Sequence, residues 1–188
     1  MNILSVITTT KIASVCVTKG YEWYLNEISN EVTHSEKLLP AIDEALSKQN
    51  MTLKDKLLAI HDYIINHTKY DTEKNNNGSS KYHSNTAYGV FMEGYATCNG
   101  YADAYALALD KLGVKNYKVS SNTHIWNAVY FDDEWLHIDL TWDDPVSTDG
   151  KDYLYHKYFL VNNEEMKKED EDLQDHIFDQ RVFQEFMD

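Results

Sequence analysis

At 188 residues, with 43% apolar and 13% aromatic side chains, the chain is long and apolar enough to bury one core, which excludes a largely disordered protein. Its 31 acidic residues against 17 basic ones give a formal net charge of −14, which argues against nucleic acid or an anionic membrane surface as a partner, since both repel a polyanion. A cationic or neutral polar partner is easier to accommodate, and two cysteines, Cys16 and Cys98, imply no disulfide framework.

The opening MNILSVITTTKIASVCV is mildly apolar but has no basic start, and Thr8 to Lys11 interrupt it before a signal-peptide core is complete. No run approaches the roughly 18 apolar residues of a membrane span, so membrane insertion is not expected. The abrupt start suits a segment of a longer protein. The β-branched residues Ile3, Val6, Ile7, Ile12, Val15 and Val17 predict one or two strands, in which Cys16 reads as a small buried hydrophobe rather than a reactive thiol. Apolar residues three and four apart predict two helices, over Tyr21 to Ser29 and Leu38 to Lys48, with Pro40 in a first turn.

A firmer helix follows: Thr52 is a cap with Asp55 three residues on, and Leu53, Leu57, Ile60, Ile64 and Ile65 form an apolar stripe. His61 and His67 on it read as surface or satisfied histidines. Asp71 to Ser84 is polar, contains Gly78 and predicts an exposed loop that can flank a cleft. Gly89 and Gly94 then permit a tight approach to Cys98, which starts a helix pattern through Leu112 that Gly113 ends. At a helix N-terminus the unpaired backbone N–H groups stabilise a thiolate and can receive an oxyanion.

Three strand patterns come next, Tyr117 to Ser121, His124 to Phe131 and Glu134 to Leu140, the last two joined by the two-residue turn Asp132-Asp133. Pairing Phe131 with Glu134 sets Asp139 opposite Trp126 and diagonal to His124, within reach of a carboxylate–imidazole hydrogen bond. One face then carries His124, Trp126, Ala128, Tyr130, Trp135, His137 and Asp139 as a polar and aromatic site, and the other, with Ile125, Val129, Phe131, Leu136, Ile138 and Leu140, is core. Cys98, His124 and Asp139 supply a thiol, a base to ionise it and a carboxylate to orient the base, the set needed for nucleophilic acyl transfer. After Pro145 a short strand pattern at Tyr158 to Val161 precedes an acidic run, Asn162 to Asp175, read as a surface helix or loop that can steer a cationic substrate. His137, Asp143, Asp144, His156 and His176 match no metal-binding spacing, so neither a metal nor a cofactor is expected.

The run YGVFMEGYATCNGYADAYALALDKLGV followed by HIWNAVYFDDEWLHIDLTWDDP resembles the transglutaminase-like superfamily, in particular its bacterial members, over roughly Leu57 to Pro145. The resemblance implies a papain-like α+β fold, a cysteine-bearing helix packed on an antiparallel sheet, with residues 1–50 an N-terminal strand and helical region and 51–188 the catalytic core. It implies Cys98 as nucleophile, His124 as base and Asp139 as third member. Trp126 would shape the cleft and Trp142 would be structural. TKYD, Thr68 to Asp71, resembles the end of the helix before the core. The motif fixes no oxyanion donor beyond the Cys98 N–H; Tyr88 is a candidate, set against a packed tyrosine in a chain with fourteen.

Members of this superfamily include crosslinking enzymes, cysteine proteases, peptide-N-glycanase relatives and inactive copies. The expected activity is therefore acyl transfer on peptide or amide bonds of a protein or peptide substrate, through a thioester resolved by water (protease- or amidase-like) or by an amine (crosslinking). The alternative is a catalytically silent protein-binding or cell-envelope module; arylamine acetyl transfer, which uses a similar trio, has no coenzyme A site to support it. No EF-hand pattern supports calcium dependence. Bacterial relatives of this kind are often exported or at the cell surface, which would need a signal outside these residues.

Overall fold

A period of two opens the chain. In the computed structural model, which describes residues 2–7, 12–29, 34–149, 151–168 and 175–186, β1 (Asn2–Ile7), β2 (Ile12–Lys19) and β3 (Glu22–Ser29) form an antiparallel sheet in that order. Ala13, Val15 and Val17 of β2 are buried, whereas Cys16, between Ser5 and Leu25 on the opposite face, is only half so, and the fully buried thiol expected from its apolar neighbours is corrected by this alternation. The helix expected over Tyr21 to Ser29 is also corrected. That stretch is β3, where Tyr24, Asn26 and Ile28 are half-buried and Trp23, Leu25 and Glu27 exposed, a strand period that its polar residues had masked.

Helix α1 (His34–Lys48) packs Leu38, Ile42, Ala45 and Leu46 inward, and its Glu44 accepts hydrogen bonds from Tyr24 and Asn26 of β3, each 3.2 Å. It begins ahead of Leu38, so Pro40 lies inside it rather than in its first turn. Helix α2 (Leu53–His67) has the expected cap: Asp55 N–H donates to Thr52 Oγ1 at 3.2 Å and Thr52 N–H to Asp55 Oδ2 at 3.1 Å. Leu57, Ile60, Ile64 and Ile65 of its stripe are buried, whereas Leu53, the first residue of the helix, is exposed, and the buried His61 is satisfied by Asp62 at 2.9 Å. The chain forms two compact units, Met1–Ile64 and Ile65–Asp188, divided within α2.

In the second unit β4 (Lys69–Tyr70) pairs in parallel with β5 (Tyr95–Ala96). The segment expected to be a loop starts as a short helix, α3 (Thr72–Asn77), because Asp71 caps it at Lys74 N–H (3.0 Å) and Gly78 ends it at φ 72°. A π-helical turn, Gly89–Glu93, leads to β5 and then to α4 (Cys98–Lys111). Backbone His83–Ser84 passes so close to this region that a Cβ on Gly89 would stand 2.3 Å from His83 O and one on Gly100 2.2 Å from Ser84 O. Gly113, at φ 71°, ends the helix as predicted.

The antiparallel sheet β6 (Asn116–Ser120), β7 (Ile125–Phe131), β8 (Glu134–Ile138) and β9 (Phe159–Val161) follows in that order. The predicted register holds: Phe131 pairs with Glu134 and Asn127 with Ile138. The turn residues that set it, Asp132 and Asp133, have φ of 50° and 66°, the left-handed pair of a tight hairpin. Helix α4 packs on β6 and β7, where Asn127 Nδ2 donates to Ala102 O at 3.0 Å. This is an α+β fold with the cysteine-bearing helix on an antiparallel sheet.

The division into a core face and an open polar face is corrected: both faces of β7 are covered. Trp126, Ala128 and His137 are buried beneath Tyr158, Met166 of α6 (Asn163–Lys168), Phe178 and Phe186, the last in a 3₁₀ turn, Gln184–Phe186. The reason lies in Ile177 to Phe186, which supplies the aromatic cover. Residues 8–11, where the sequence predicts a break in the apolar start, and 169–174 of the acidic run lie outside the described residues. Among the described residues no helix is long and apolar enough to cross a membrane.

Candidate active site

Cys98 is the first residue of α4. Its cap Thr97 is extended (φ −97°, ψ 179°) and makes no side-chain cap bond; its hydroxyl instead donates to Ser84 O at 3.4 Å. The Thr97 side chain thus leaves the first-turn N–H groups of α4 uncapped on its part. Cys98 lines a cavity of about 420 Å³ with Tyr70, His124, Thr141, Trp142 and Asp144.

His124 stands just ahead of β7 in a tight loop: its N–H donates to Ser121 Oγ at 3.1 Å and its carbonyl accepts from Ser121 N–H at 3.0 Å. The ring stacks on Trp126 (centroids 5.8 Å apart, 17° between planes). Its Nε2 meets Asp139 Oδ2 at 2.6 Å, and it lines the cavity together with Cys98. With Nε2 committed to the carboxylate, Nδ1 is the nitrogen left for the thiol. Burial disfavours the imidazolium, but Asp139 first and Cys98 second outweigh it and push His124 up to about 10.

Asp139 lies one residue past the β8 ladder, where it caps α5 (Leu140–Asp143). Oδ1 accepts from Thr141 N–H at 2.9 Å and Trp142 N–H at 3.3 Å, while Oδ2 accepts from His124 and, at 2.8 Å, from His176 Nε2. Burial alone would raise this carboxyl; the two imidazoles, His124 foremost, hold it well below the usual carboxylate range. Two imidazoles and a carboxylate are also a metal-type donor set. Their 2.6 and 2.8 Å contacts are those of shared protons, whereas ligands around one tetrahedral zinc stand about 3.3 Å apart.

The model of the transglutaminase-like superfamily matches residues 40–140, more than half of the chain. The chain belongs to the transglutaminase-like superfamily. A crystal structure of a TGase is similar at 20% identity and a TM-score of 0.47, over 79% of this chain and 47% of that one, so the chain spans about half of its length. No curated protein is matched.

Within this superfamily member the other predicted residues fall as follows. Trp126 is buried behind His124, its Nε1–H donating to His137 Nδ1 at 3.0 Å; burial, and then the neighbouring His176, hold His137 at about 4, so its ring is a neutral acceptor. Trp142 lines the cavity, edge-on to His124 at 6.3 Å. Tyr88 is exposed and edge-on to His83 and is not among the residues lining the cavity. The tyrosine that does line it is Tyr70, whose phenol is pushed up by burial and then by Cys98, Asp71 and Asp139, which keeps its O–H a donor. The KY of TKYD was the sequence signal for it. Asp144 on the rim accepts a hydrogen bond from Tyr101 of α4. The sequence reading missed His176, thirty-seven positions from Asp139, because nothing local ties it to the site.

Proposed function

We propose that this chain is a cysteine-dependent acyl-transfer enzyme acting on peptide or amide bonds. The observation that carries the proposal is the open cavity that Cys98 and His124 line together, with His124 held at 2.6 Å by a buried carboxylate. The Cys98 thiolate attacks the carbonyl carbon, and the oxyanion forms near the first-turn N–H groups of α4. The C–N bond breaks as the His124 imidazolium gives its proton to the leaving amine, and a thioester remains on Cys98. His124 then deprotonates water or an acceptor amine, which attacks the thioester; the C–S bond breaks, and an acid or a new amide leaves. The net charge of −14 favours a substrate or acceptor that is cationic or neutral.

The test is the pH dependence of iodoacetamide alkylation of Cys98, with Cys16→Ser as background. A free thiol titrates at about 8.5 and is slow at pH 6. Cys98 is expected to react at pH 6, and His124→Ala to lower that rate about a hundredfold. An inert Cys98, or one that titrates like a free thiol in both proteins, would overturn the proposal and favour a silent binding module.

A further inference from the structure

We infer that His176 is a positioning residue of the site, acting on His124 through the Asp139 oxygen that the two imidazoles share. The inference rests on the acyl-transfer reading and extends it. Asp139 Oδ2 lies 2.6 Å from His124 Nε2 and 2.8 Å from His176 Nε2, with the side chains of Asp139 and His176 1% and 0% exposed. A carboxylate only accepts, so His176 presents Nε2–H to it. Together with the two α5 N–H groups on Oδ1, this fills the roughly four acceptor positions that a carboxylate has.

Each pair does a different job. The backbone donors tether Asp139 to its helix turn, and the paired imidazoles fix the rotation of the carboxylate about its own axis. Without His176 one lone pair of a buried oxygen would be unused, and Oδ2 would be free to swing off the His124 axis. The donation also draws charge from Oδ2, which tempers the pull of Asp139 on the His124 proton. An imidazolium held too tightly is a poor acid for a leaving amine.

The segment that carries His176 is itself fixed at the same place. Its ring packs against Trp126 and Tyr158, each at 5.1 Å between centroids, and the preceding residue, Asp175, accepts the Thr123 N–H at 2.8 Å and the Thr123 hydroxyl. Consecutive residues of one segment thus grip both the carboxylate and the residue ahead of His124. Among the described residues, the titratable groups set against His124 are Cys98, Asp139, His176 and Asp175, with Tyr70 and Asp144 lining the same cavity.

The test compares His176→Leu, which fills space without a donor, with His176→Gln, which keeps an N–H. Alkylation of Cys98 is read from pH 5 to 10 in the Cys16→Ser background. Leucine is expected to lower the rate at neutral pH about tenfold and to displace the pH profile, and glutamine to restore both to within about threefold of the parent. A folded leucine variant with the parental profile, or a glutamine variant as impaired as leucine, overturns the inference. If the leucine variant does not fold, imidazole ¹⁵N shifts of the parent decide: His176 Nε2 must be protonated wherever Cys98 reacts, and a bare Nε2 there overturns the assignment. If Cys98 is inert in the parent, acyl transfer fails on its own account, and the ¹⁵N titration of His124 in the glutamine and leucine variants still reads the coupling. An unmoved His124 titration in the leucine variant overturns it.

Discussion

Asp139→Asn is expected to reduce the His124-dependent reactivity of Cys98 by about 10³-fold or more, the scale seen when a triad carboxylate loses its charge. Whichever way the amide turns, its NH₂ faces N–H donors, either the two imidazoles or the Thr141 and Trp142 backbone. His124 then lacks the charge that offsets its burial and reverts to neutral imidazole. A stability loss follows with a definite pH dependence. His124 is raised from 6.5 to about 10 in the folded protein, so its contribution is whole below pH 6.5 and is lost as pH rises toward 10. Asp139 is lowered from 3.8, so its contribution is present above that value and fades as pH falls below it. The difference between parent and variant should therefore peak near pH 5 and shrink on either side, with a maximum on the order of 3 kcal/mol for a buried pair broken on one side. Urea denaturation of both proteins at pH 5 and pH 9.5 checks it. Equal differences at the two pH values would show that the pair is not coupled to folding as described.

Gly100→Ala is expected to destabilise the second unit by about 3 kcal/mol or more, despite a helix propensity that favours alanine by about 1 kcal/mol. The clash outweighs the propensity because the added Cβ would stand 2.2 Å from Ser84 O and 3.1 Å from Ser84 C, both backbone atoms, and 3.3 Å from Ala96 Cβ. The carbonyl that would have to retreat also accepts the Thr97 N–H at 2.7 Å, so its movement would pull the residue ahead of Cys98. Thermal melting should show a fall of roughly 10 °C in the second unit. Gly78→Ala is the control, since its Cβ would meet nothing within 4 Å and only left-handed strain, about 1 kcal/mol, remains. Equal losses at the two positions would mean that the His83–Ser84 passage yields easily.

Where one short stretch decides its own geometry, the sequence could be read. Thr52 and Asp55 closed the α2 cap, Gly113 ended α4, and Asp132-Asp133 fixed the β7–β8 register that sets His124 and Asp139 on one side. Distant contacts decided the rest. Trp23, Tyr24 and Leu25 suit either period by themselves, and pairing with β2 makes them a strand. Phe178, Phe183 and Phe186 are interleaved with Asp179, Gln180, Arg181, Gln184 and Glu185 in no clear period, and only the folding back of this segment onto Trp126 and Trp135 shows that they cover the sheet. His176 shared that fate: no spacing rule links it to Asp139. Tyr70 rather than Tyr88 reached the cavity because β4 pairs with β5, a contact of strands only two residues long.

The tightness of the β7–β8 turn has a consequence for how this family can drift in length. With two left-handed residues between Phe131 and Glu134, an inserted residue must either be absorbed as a bulge or rotate β8 by half a pleat, which would turn His137 away from Trp126 and carry Asp139 off His124. The described residues between Pro145 and Lys157 lie outside the β7–β8 ladder, so a change of length there does not shift the register of the pair. Insertions and deletions among active relatives should accumulate there, and relatives that kept both His124 and Asp139 yet commonly lengthened the Asp132-Asp133 turn would contradict this. The hairpin thus acts as a ruler on which evolution can change the markings but not the length.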